Sequence, residues 1–123
     1  MVVELYESDR ELVVWWATEV ECESAISRRE REGTHGPSEV AEARRLLAAL
    51  AKGWGEVEPT TRVRGSARRL LRVHPLRAAD AFQLAAALAA TEGEPGLLEI
   101  VCLDDRLARA AQVESFSVLP QAG

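Results

Sequence analysis

One acidic residue stands in an otherwise apolar helical pattern. Asp80 lies in a segment rich in alanine and leucine. At helical spacing it shares a stripe with Leu76, Leu84 and Leu88, which should face the core. A buried carboxylate without a partner costs several kcal/mol or stays protonated. We therefore expect Asp80 to face a cation, which is either an arginine such as Arg77 in a structural ion pair or a metal ion in an active site.

Two further acids follow predicted strands. Thr18 and Glu21 come directly after the first of two long apolar runs, and Asp104 comes directly after the second. If the strands are parallel, their carboxyl ends lie at the same edge of one sheet, where ligands bind in such folds. The sequence thus places Glu21 and Asp104 at one edge, and Asp80 is the third candidate for the same site.

Each of these acids also has a structural explanation. Thr18-x-x-Glu21 has the form of a capping box, in which the Thr oxygen accepts a backbone N–H and the Glu reaches back to the start of the helix. Asp104 and Asp105 could each cap the helix that is predicted to begin at Arg106. Capping and catalysis are compatible for Asp104, whereas capping is a complete physical explanation for Glu21.

Glu21, Asp80 and Asp104 suggest one kind of chemistry if they converge. Like charges raise one another's pKa unless a cation lies between them. Mg²⁺ or Mn²⁺ is the natural cation, because both take oxygen ligands and keep water molecules for chemistry. Such an ion fits phosphodiester hydrolysis, in which it activates a water and neutralises the phosphate.

The elements that must position these acids alternate between strand and helix. Apolar runs predict strands over 11–16, 97–103 and 116–120. Helical periodicity and breaking residues predict helices over 18–32, 37–52, 59–73, 76–91 and 106–112. Strands separated by helices pair in parallel through right-handed crossovers, so the expected fold is a three-layer α/β/α domain with a parallel sheet. At 123 residues the chain is expected to form one domain, over 1–123.

Charge is unevenly distributed along the chain. The formal net charge is −5, which argues against binding of nucleic acid by the whole surface. The segment 59–79 nevertheless holds six arginines and no acid. We expect its helix to turn Val63, Ala67, Leu70 and Leu71 inward and the arginines outward. These arginines form either a solvated helix face or a basic rim that holds phosphates beside the acids.

Composition limits the other possibilities. Cys22 and Cys102 each lie in an apolar element and are expected to be reduced, as in a cytoplasmic protein. The chain has no CxxC pair, and His35 and His74 lie in separate predicted loops, which argues against a zinc site. No apolar run approaches the roughly 20 residues that span a bilayer, so we expect no membrane association.

Three segments of the chain, in this order, resemble motifs of the PIN-domain ribonucleases. They are Thr18–Ala25, Leu76–Ala87 and Val101–Ala108, and the branch that they resemble is the VapC-like toxins of bacterial toxin–antitoxin pairs. The resemblance covers nearly the whole chain. It implies a PIN-like fold and a Mg²⁺- or Mn²⁺-dependent endoribonuclease, often a homodimer, that cuts RNA and is neutralised by a cognate antitoxin protein.

The resemblance also assigns roles by motif position. It implies that Glu21, Asp80 and Asp104 are the catalytic acids that hold the metal, with Thr18 as an accompanying hydroxyl and Asp105 in support. The RNA backbone would then be held by arginines of the basic segment, namely Arg68, Arg72 and Arg77.

The chain also departs from the family pattern. In the family, a strand at the centre of the sheet ends in an Asp followed by Thr or Ser and then Ser or Ala, and this chain lacks that motif. Residues 1–6 resemble the end of the family's first helix, so we expect a PIN-like domain shortened at its N-terminus. Gln83 stands where many relatives carry His, and Cys102 where Thr or Ser is frequent.

These observations leave three functional hypotheses. The first is a metal-dependent endoribonuclease of the VapC type. The second is a non-catalytic module that dimerises or binds an antitoxin-like partner, because losing one ligand of a multi-acid site weakens metal binding severely. The third is a shortened copy of a longer, active protein.

Overall fold

The structure is a computed structural model, and it describes residues 5–8, 11–91, 99–101 and 105–119. The strands are β1 (Leu5–Ser8), β2 (Glu11–Trp15), β3 (Gly55–Val57), β4 (Glu99–Val101) and β5 (Ser117–Leu119). The helices are α1 (Thr18–Glu32), α2 (Pro37–Gly53), α3 (Thr61–Val73), α4 (Ala78–Ala90) and α5 (Asp105–Val113). The helices and the strands β2, β4 and β5 lie close to where the sequence predicts them, whereas it predicts neither β1 nor β3.

The five strands form one sheet in the order β3-β2-β1-β4-β5. β2 pairs with β3 in parallel, and β4 pairs with β5 in parallel, as the alternation of strand and helix predicts. β1 occupies the centre and is antiparallel to both neighbours, with Tyr6 opposite Val13 on one side and Ile100 on the other. The prediction of a parallel sheet therefore holds for these two pairs, but the central strand is antiparallel to both of its neighbours, so the sheet is mixed.

The orientation of β1 follows from the short connection to β2. Ser8 and Glu11 are opposite each other in the β1–β2 pair, and only positions 9 and 10 separate them. So short a connection joins antiparallel neighbours, whereas parallel neighbours need a crossover of about a dozen residues or more. The prediction that residues 1–6 end a helix is wrong for Leu5 and Tyr6, and residues 1–4 lie outside the described part of the chain.

The core is built around α4, which packs against α3, α5, β2 and β3. Its alanines are small, so neighbouring elements can approach it closely, and Leu84 at its centre is fully buried. Trp15 of β2 stacks on Phe82 of α4, with ring centroids 5.4 Å apart and ring planes within 5° of parallel. Asp80 lies in the first turn of the helix and is half-buried, at the margin of the core and not at its centre.

α3 covers the same core with one apolar face. Val63, Ala67 and Leu70 are buried as predicted, and the arginines of α3 are exposed as predicted. Leu71 is 42% exposed, so the prediction that it faces inward is wrong. One residue along a helix is a rotation of roughly 100°, and Leu70 already occupies the centre of the buried face.

α1 and α2 pack against each other, and α1 carries one of the predicted acids. The two helices are joined by Arg44, whose guanidinium lies 3.0 Å from a carboxylate oxygen of Glu23 and 3.1 Å from one of Glu30. α1 ends at Gly33, which has a φ of 71° and so takes the left-handed conformation that glycine accepts without strain. α2 then begins with Pro37 in its first turn, as predicted.

Candidate functional site

Glu21 and Asp80 lie on different helices but line the same open groove. Glu21 is in the first turn of α1, just after the end of β2, and Asp80 is in the first turn of α4. Both residues are half-buried. Together with Gln83 they supply acidic and amide groups to a groove of about 410 Å³ between α1 and α4, which we call the acidic groove. The structure thus brings together two of the three predicted acids, from positions far apart in the chain.

The electrostatics of Glu21 reflect this arrangement. Burial raises the pKa of Glu21 above its ordinary value of 4.5, because a carboxylate loses hydration when it is half-buried. The hydrogen bond from Gln83 lowers the pKa, and the negative charge of Asp80 raises it. A groove that holds two carboxylates close enough to repel is one that a cation would stabilise.

Gln83 lies beside the two acids, at a position where the sequence departs from the family pattern. Its side chain is 3% exposed, and its Nε2 donates a hydrogen bond to Oε2 of Glu21. Gln83 lies three residues after Asp80, so both residues project from the same side of α4. That spacing is the signal from which its position beside the acids could have been found.

Thr18 does not cap α1, so the predicted capping box is wrong. The N-cap is Ala17, and no side chain caps the helix. Thr18 is one position too late: it is the first helical residue, it is 2% exposed, and its Oγ1 has no hydrogen-bond partner among the described residues. Since Glu21 accepts its hydrogen bond from Gln83 and not from the helix start, capping no longer explains why an acid stands at that position.

The structure gives no side-chain position for the remaining predicted acids, Asp104 and Asp105. Asp104 and Cys102 lie outside the described residues. Asp105 begins α5, and its side chain is outside the described part. Within the described residues, no group of three or more His, Cys, Asp or Glu side chains is gathered as for a metal ion. The role of Asp104 therefore stays a prediction.

One arginine lines the acidic groove, and it is not one of the three that were predicted to hold the RNA backbone. Arg28, on α1, lines the acidic groove together with Glu21 and Asp80. Arg68 and Arg72 are exposed on α3, and Arg77 is the N-cap residue of α4; none of these three lines that groove. The signal for Arg28 was its spacing: it lies seven residues after Glu21, two helical turns along the same face.

The side chains of the acidic groove fit a hard divalent cation. Glu21 and Asp80 offer carboxylate oxygens, which Mg²⁺ and Mn²⁺ prefer, and the described part of the groove contains neither thiol nor imidazole ligands for zinc. The buried Oγ1 of Thr18, which has no partner among the described residues, is a further oxygen near the start of α1. The donor chemistry is therefore that of an oxygen-ligated ion.

Two curated relatives place the chain among ribonucleases. They are Ribonuclease VapC45 from Mycobacterium tuberculosis (strain CDC 1551 / Oshkosh) and Ribonuclease VapC49 from Mycobacterium tuberculosis (strain ATCC 25618 / H37Rv). Each is 36% identical to the chain over 100 residues, which are 81% of this chain and 67% of the relative. The chain belongs to the VapC-like PIN-domain ribonucleases, so the resemblance found in its three motifs is confirmed.

No family model matches the chain, and no solved structure matches it. In the part of the chain that the structure describes, no helix is both long enough and apolar enough to cross a membrane.

Proposed function

We propose that this protein is a Mg²⁺- or Mn²⁺-dependent endoribonuclease that hydrolyses RNA phosphodiester bonds, and that it is the toxin of a toxin–antitoxin pair. The observation that carries the proposal is the acidic groove, in which Glu21 of α1 and Asp80 of α4 share one open surface. Membership of the VapC family supports ribonuclease activity. The specific ion and the cognate antitoxin are part of the proposal.

The ion would be held by Glu21 and Asp80, with Asp104 as the third acid predicted from the sequence. When bound, a divalent ion lowers the pKa of a water molecule and offsets negative charge on the phosphate. Gln83 fixes the carboxylate of Glu21 through a hydrogen bond that is shielded from water. Arg28 places a positive charge in the same groove, where it can neutralise phosphate oxygens of the RNA.

The proposal extends beyond the site to the whole molecule. We propose a three-layer α/β/α PIN-like arrangement in a single domain, acting as a homodimer in the cytoplasm. Arg68 and Arg72 of α3 would hold more distant parts of the RNA backbone, since both are exposed on the surface of that helix.

A second candidate function is a non-catalytic PIN-like module that binds an antitoxin-like partner. The orientation of β1 is the observation that favours it. β1 is antiparallel to β2, so its last residue, Ser8, is opposite Glu11 at the start of β2 and not beside the end of β2 where α1 begins. In the family the central strand ends with an acid at the active site, and here the described central strand ends at the opposite edge.

Cleavage of RNA by the purified chain separates the two candidates. The proposal predicts cleavage with Mn²⁺ or Mg²⁺ that stops on addition of EDTA. Asp80→Asn and Glu21→Gln should each reduce the rate by at least about 100-fold, because each removes a charged ligand of the ion. Glu19→Gln is the matched control, since Glu19 lies on the same turn of α1 but is exposed and outside the acidic groove.

The stability of the variants makes the result interpretable. Asp80→Asn should leave the free energy of unfolding unchanged or slightly higher, because it relieves repulsion with Glu21. A folded chain that cleaves no RNA with either ion, or that cleaves equally well in EDTA, would overturn the proposal. Strong destabilisation by Asp80→Asn would instead identify Asp80 as a structural ion-pair partner.

A further inference from the structure

A second groove opens next to the acidic groove and shares two of its residues. Glu21 and Ala79 line both grooves, so the two form one continuous surface. The second groove has a volume of about 470 Å³ and is lined mainly by apolar atoms. Trp15 and Phe82, the stacked pair of the core, form part of its lining. We call it the tryptophan groove, after Trp16, which also lines it.

The side chain of Trp16 is unusually exposed for its size. It is 52% exposed, whereas its neighbour Trp15 is 5% exposed and packed in the core. The backbone N–H of Trp16 donates a 3.0 Å hydrogen bond to the carbonyl of Val57, which fixes this turn between β2 and α1 against the end of β3. An aromatic ring of this area left half in water, at a fixed position beside a polar site, is a surface that a ligand can cover.

Another part of the lining comes from the start of α3 and the segment before it, and it carries a positive charge. Arg64 lines the groove with Thr60 and Thr61, is exposed, and makes no ion pair with another described residue. The side chain of Thr60 accepts a 3.2 Å hydrogen bond from the N–H of Val63, so the first turn of α3 is fixed in place. The groove therefore combines an exposed aromatic ring, a mainly apolar lining and a cationic side chain, beside two carboxylates.

We propose that the tryptophan groove binds one unpaired nucleotide of the RNA, adjacent to the phosphate that lies at the acidic groove. The base would stack on Trp16 and the nucleotide's phosphate would contact Arg64. This inference rests on the proposed function, and it adds that Trp16 and Arg64 form the contacts to one unpaired nucleotide of the substrate. A base inside a duplex has both faces covered by its neighbours, so only an unpaired base can offer a face to an indole.

Size and charge favour a nucleotide over a protein segment. Grooves of roughly 300–1,000 Å³ accommodate single small ligands, and a groove of about 470 Å³ is in that range. The combination of an aromatic ring with an arginine is the one that single-stranded nucleic acid uses, since every base has a π-face and every phosphate a negative charge. An apolar side chain of a partner protein would use the ring but would leave Arg64 without an acceptor.

Binding measured in the absence of cleavage tests the inference. We would titrate a fluorescently labelled single-stranded RNA of ten nucleotides into the Asp80→Asn protein, in EDTA, and follow anisotropy. Adding Trp16→Ala should weaken binding by roughly tenfold or more, the usual effect of losing one stacked base, and Trp16→Phe should restore most of it. The matched control is Leu46→Ala, which removes a side chain of similar exposure on α2, away from both grooves.

Arg64 has an internal control two residues away. Arg64→Ala should weaken binding and reduce the slope of log affinity against log salt by about 0.7, the value for one phosphate contact to a single strand. Arg62→Ala removes the same charge from the same helix but does not line the groove, and it should leave affinity at low salt closer to that of the parent. When the same RNA is annealed to its complement, the parent protein and the Trp16→Ala variant should bind it with equal affinity.

The outcomes separate this inference from the proposed function. Trp16-dependent binding of single-stranded RNA by a chain that cleaves no RNA would sustain the groove and overturn the nuclease. If folded Trp16→Ala cleaves RNA in a metal-dependent reaction with the affinity and rate of the parent, the nuclease would be sustained and the role of the groove would be overturned. If Trp16→Ala loses binding to a purified antitoxin protein but binds RNA as the parent does, the groove receives a protein side chain. That result would overturn the inference.

Discussion

Gln83 on α4 donates a hydrogen bond to the carboxylate of Glu21 on α1, across 62 positions of the chain. Because Gln83 is almost fully buried, water does not compete strongly for this bond. The bond ties the orientation of one acid to the helix that carries the other, Asp80. The position of the two acids relative to each other therefore depends on the neutral side chain of Gln83.

The first prediction concerns that side chain. Gln83→Met keeps the length and approximate volume of the residue but removes the donor, so Glu21 should lose its fixed orientation. We expect metal-dependent activity, and the affinity for Mn²⁺, to fall by about 10- to 100-fold, as for other groups that orient a ligand. Activity assays and calorimetric titration with Mn²⁺ measure the two effects. Unchanged affinity in a folded variant would show that Glu21 does not need Gln83 to bind the ion.

The second prediction concerns Arg28, which lines the acidic groove. Arg28→Ala should weaken RNA binding and reduce its salt dependence, with a change in slope of about 0.7 for one lost phosphate contact. Arg29→Ala removes the same charge from the next position of α1, which faces a different groove, and should have the smaller effect. Equal effects of the two substitutions would mean that the helix acts through its general charge and not through a contact in the acidic groove.

Many of the elements that position the site are predictable from the sequence, because the signals are local and strong. Helical periodicity and the breaking residues Gly33 and Pro75 give the helix bounds closely. A single acid in an alanine-rich helix identifies Asp80 as exceptional, and the structure places it in a groove with Glu21. Three motifs in the family's order are sufficient to identify the VapC-like ribonucleases from the sequence alone.

The rest depends on tertiary contacts that leave little trace in the sequence. β1 and β3 have four and three residues, which is too few for a period to be recognised, and their pairing partners supply most of their stability. Thr18 fits a capping pattern, but the helix begins one residue earlier than that pattern requires. His74, which was predicted only to lie in a loop, is buried and contacts Glu114, which follows the end of α5.

The third prediction contrasts two glycines. Gly33 has a φ of 71°, where an alanine is strained, and Gly33→Ala should lower the free energy of unfolding by about 1–2 kcal/mol. Gly65 lies within α3, and a Cβ added there meets no atom within 4 Å apart from the adjacent residues and the backbone of its own helix. Gly65→Ala should therefore raise the free energy of unfolding by about 0.5–1 kcal/mol. Denaturant titration of both variants measures the difference, and a loss of stability in both would contradict the role assigned to each backbone conformation.

The last prediction concerns a partly buried ion cluster away from the site. Glu114, just after α5, has its two carboxylate oxygens 3.0 Å from a guanidinium nitrogen of Arg69 and 2.9 Å from Nε2 of His74. Its side chain is 14% exposed. Burial alone would raise the pKa of Glu114, but hydrogen bonds from Arg69 and His74 hold it below its ordinary value of 4.5. This cluster joins the end of α3 to the end of α5.

The sign of the pH dependence follows from that depressed pKa. The folded state binds a proton at Glu114 less readily than the unfolded state, so the carboxylate stabilises the protein above about pH 4.5 and this contribution is lost as pH falls through the lower, folded pKa. Glu114→Gln should therefore cost about 1–3 kcal/mol at pH 7, and the difference from the parent should shrink below pH 4.5. Glu42→Gln, which removes an exposed partner of Arg45, should cost less than about 0.5 kcal/mol at either pH. Urea unfolding of the three proteins at pH 7 and at about pH 3.5 measures these values. A Glu114→Gln deficit that stays constant across this range would show that packing of the side chain, and not its charge, holds α3 and α5 together.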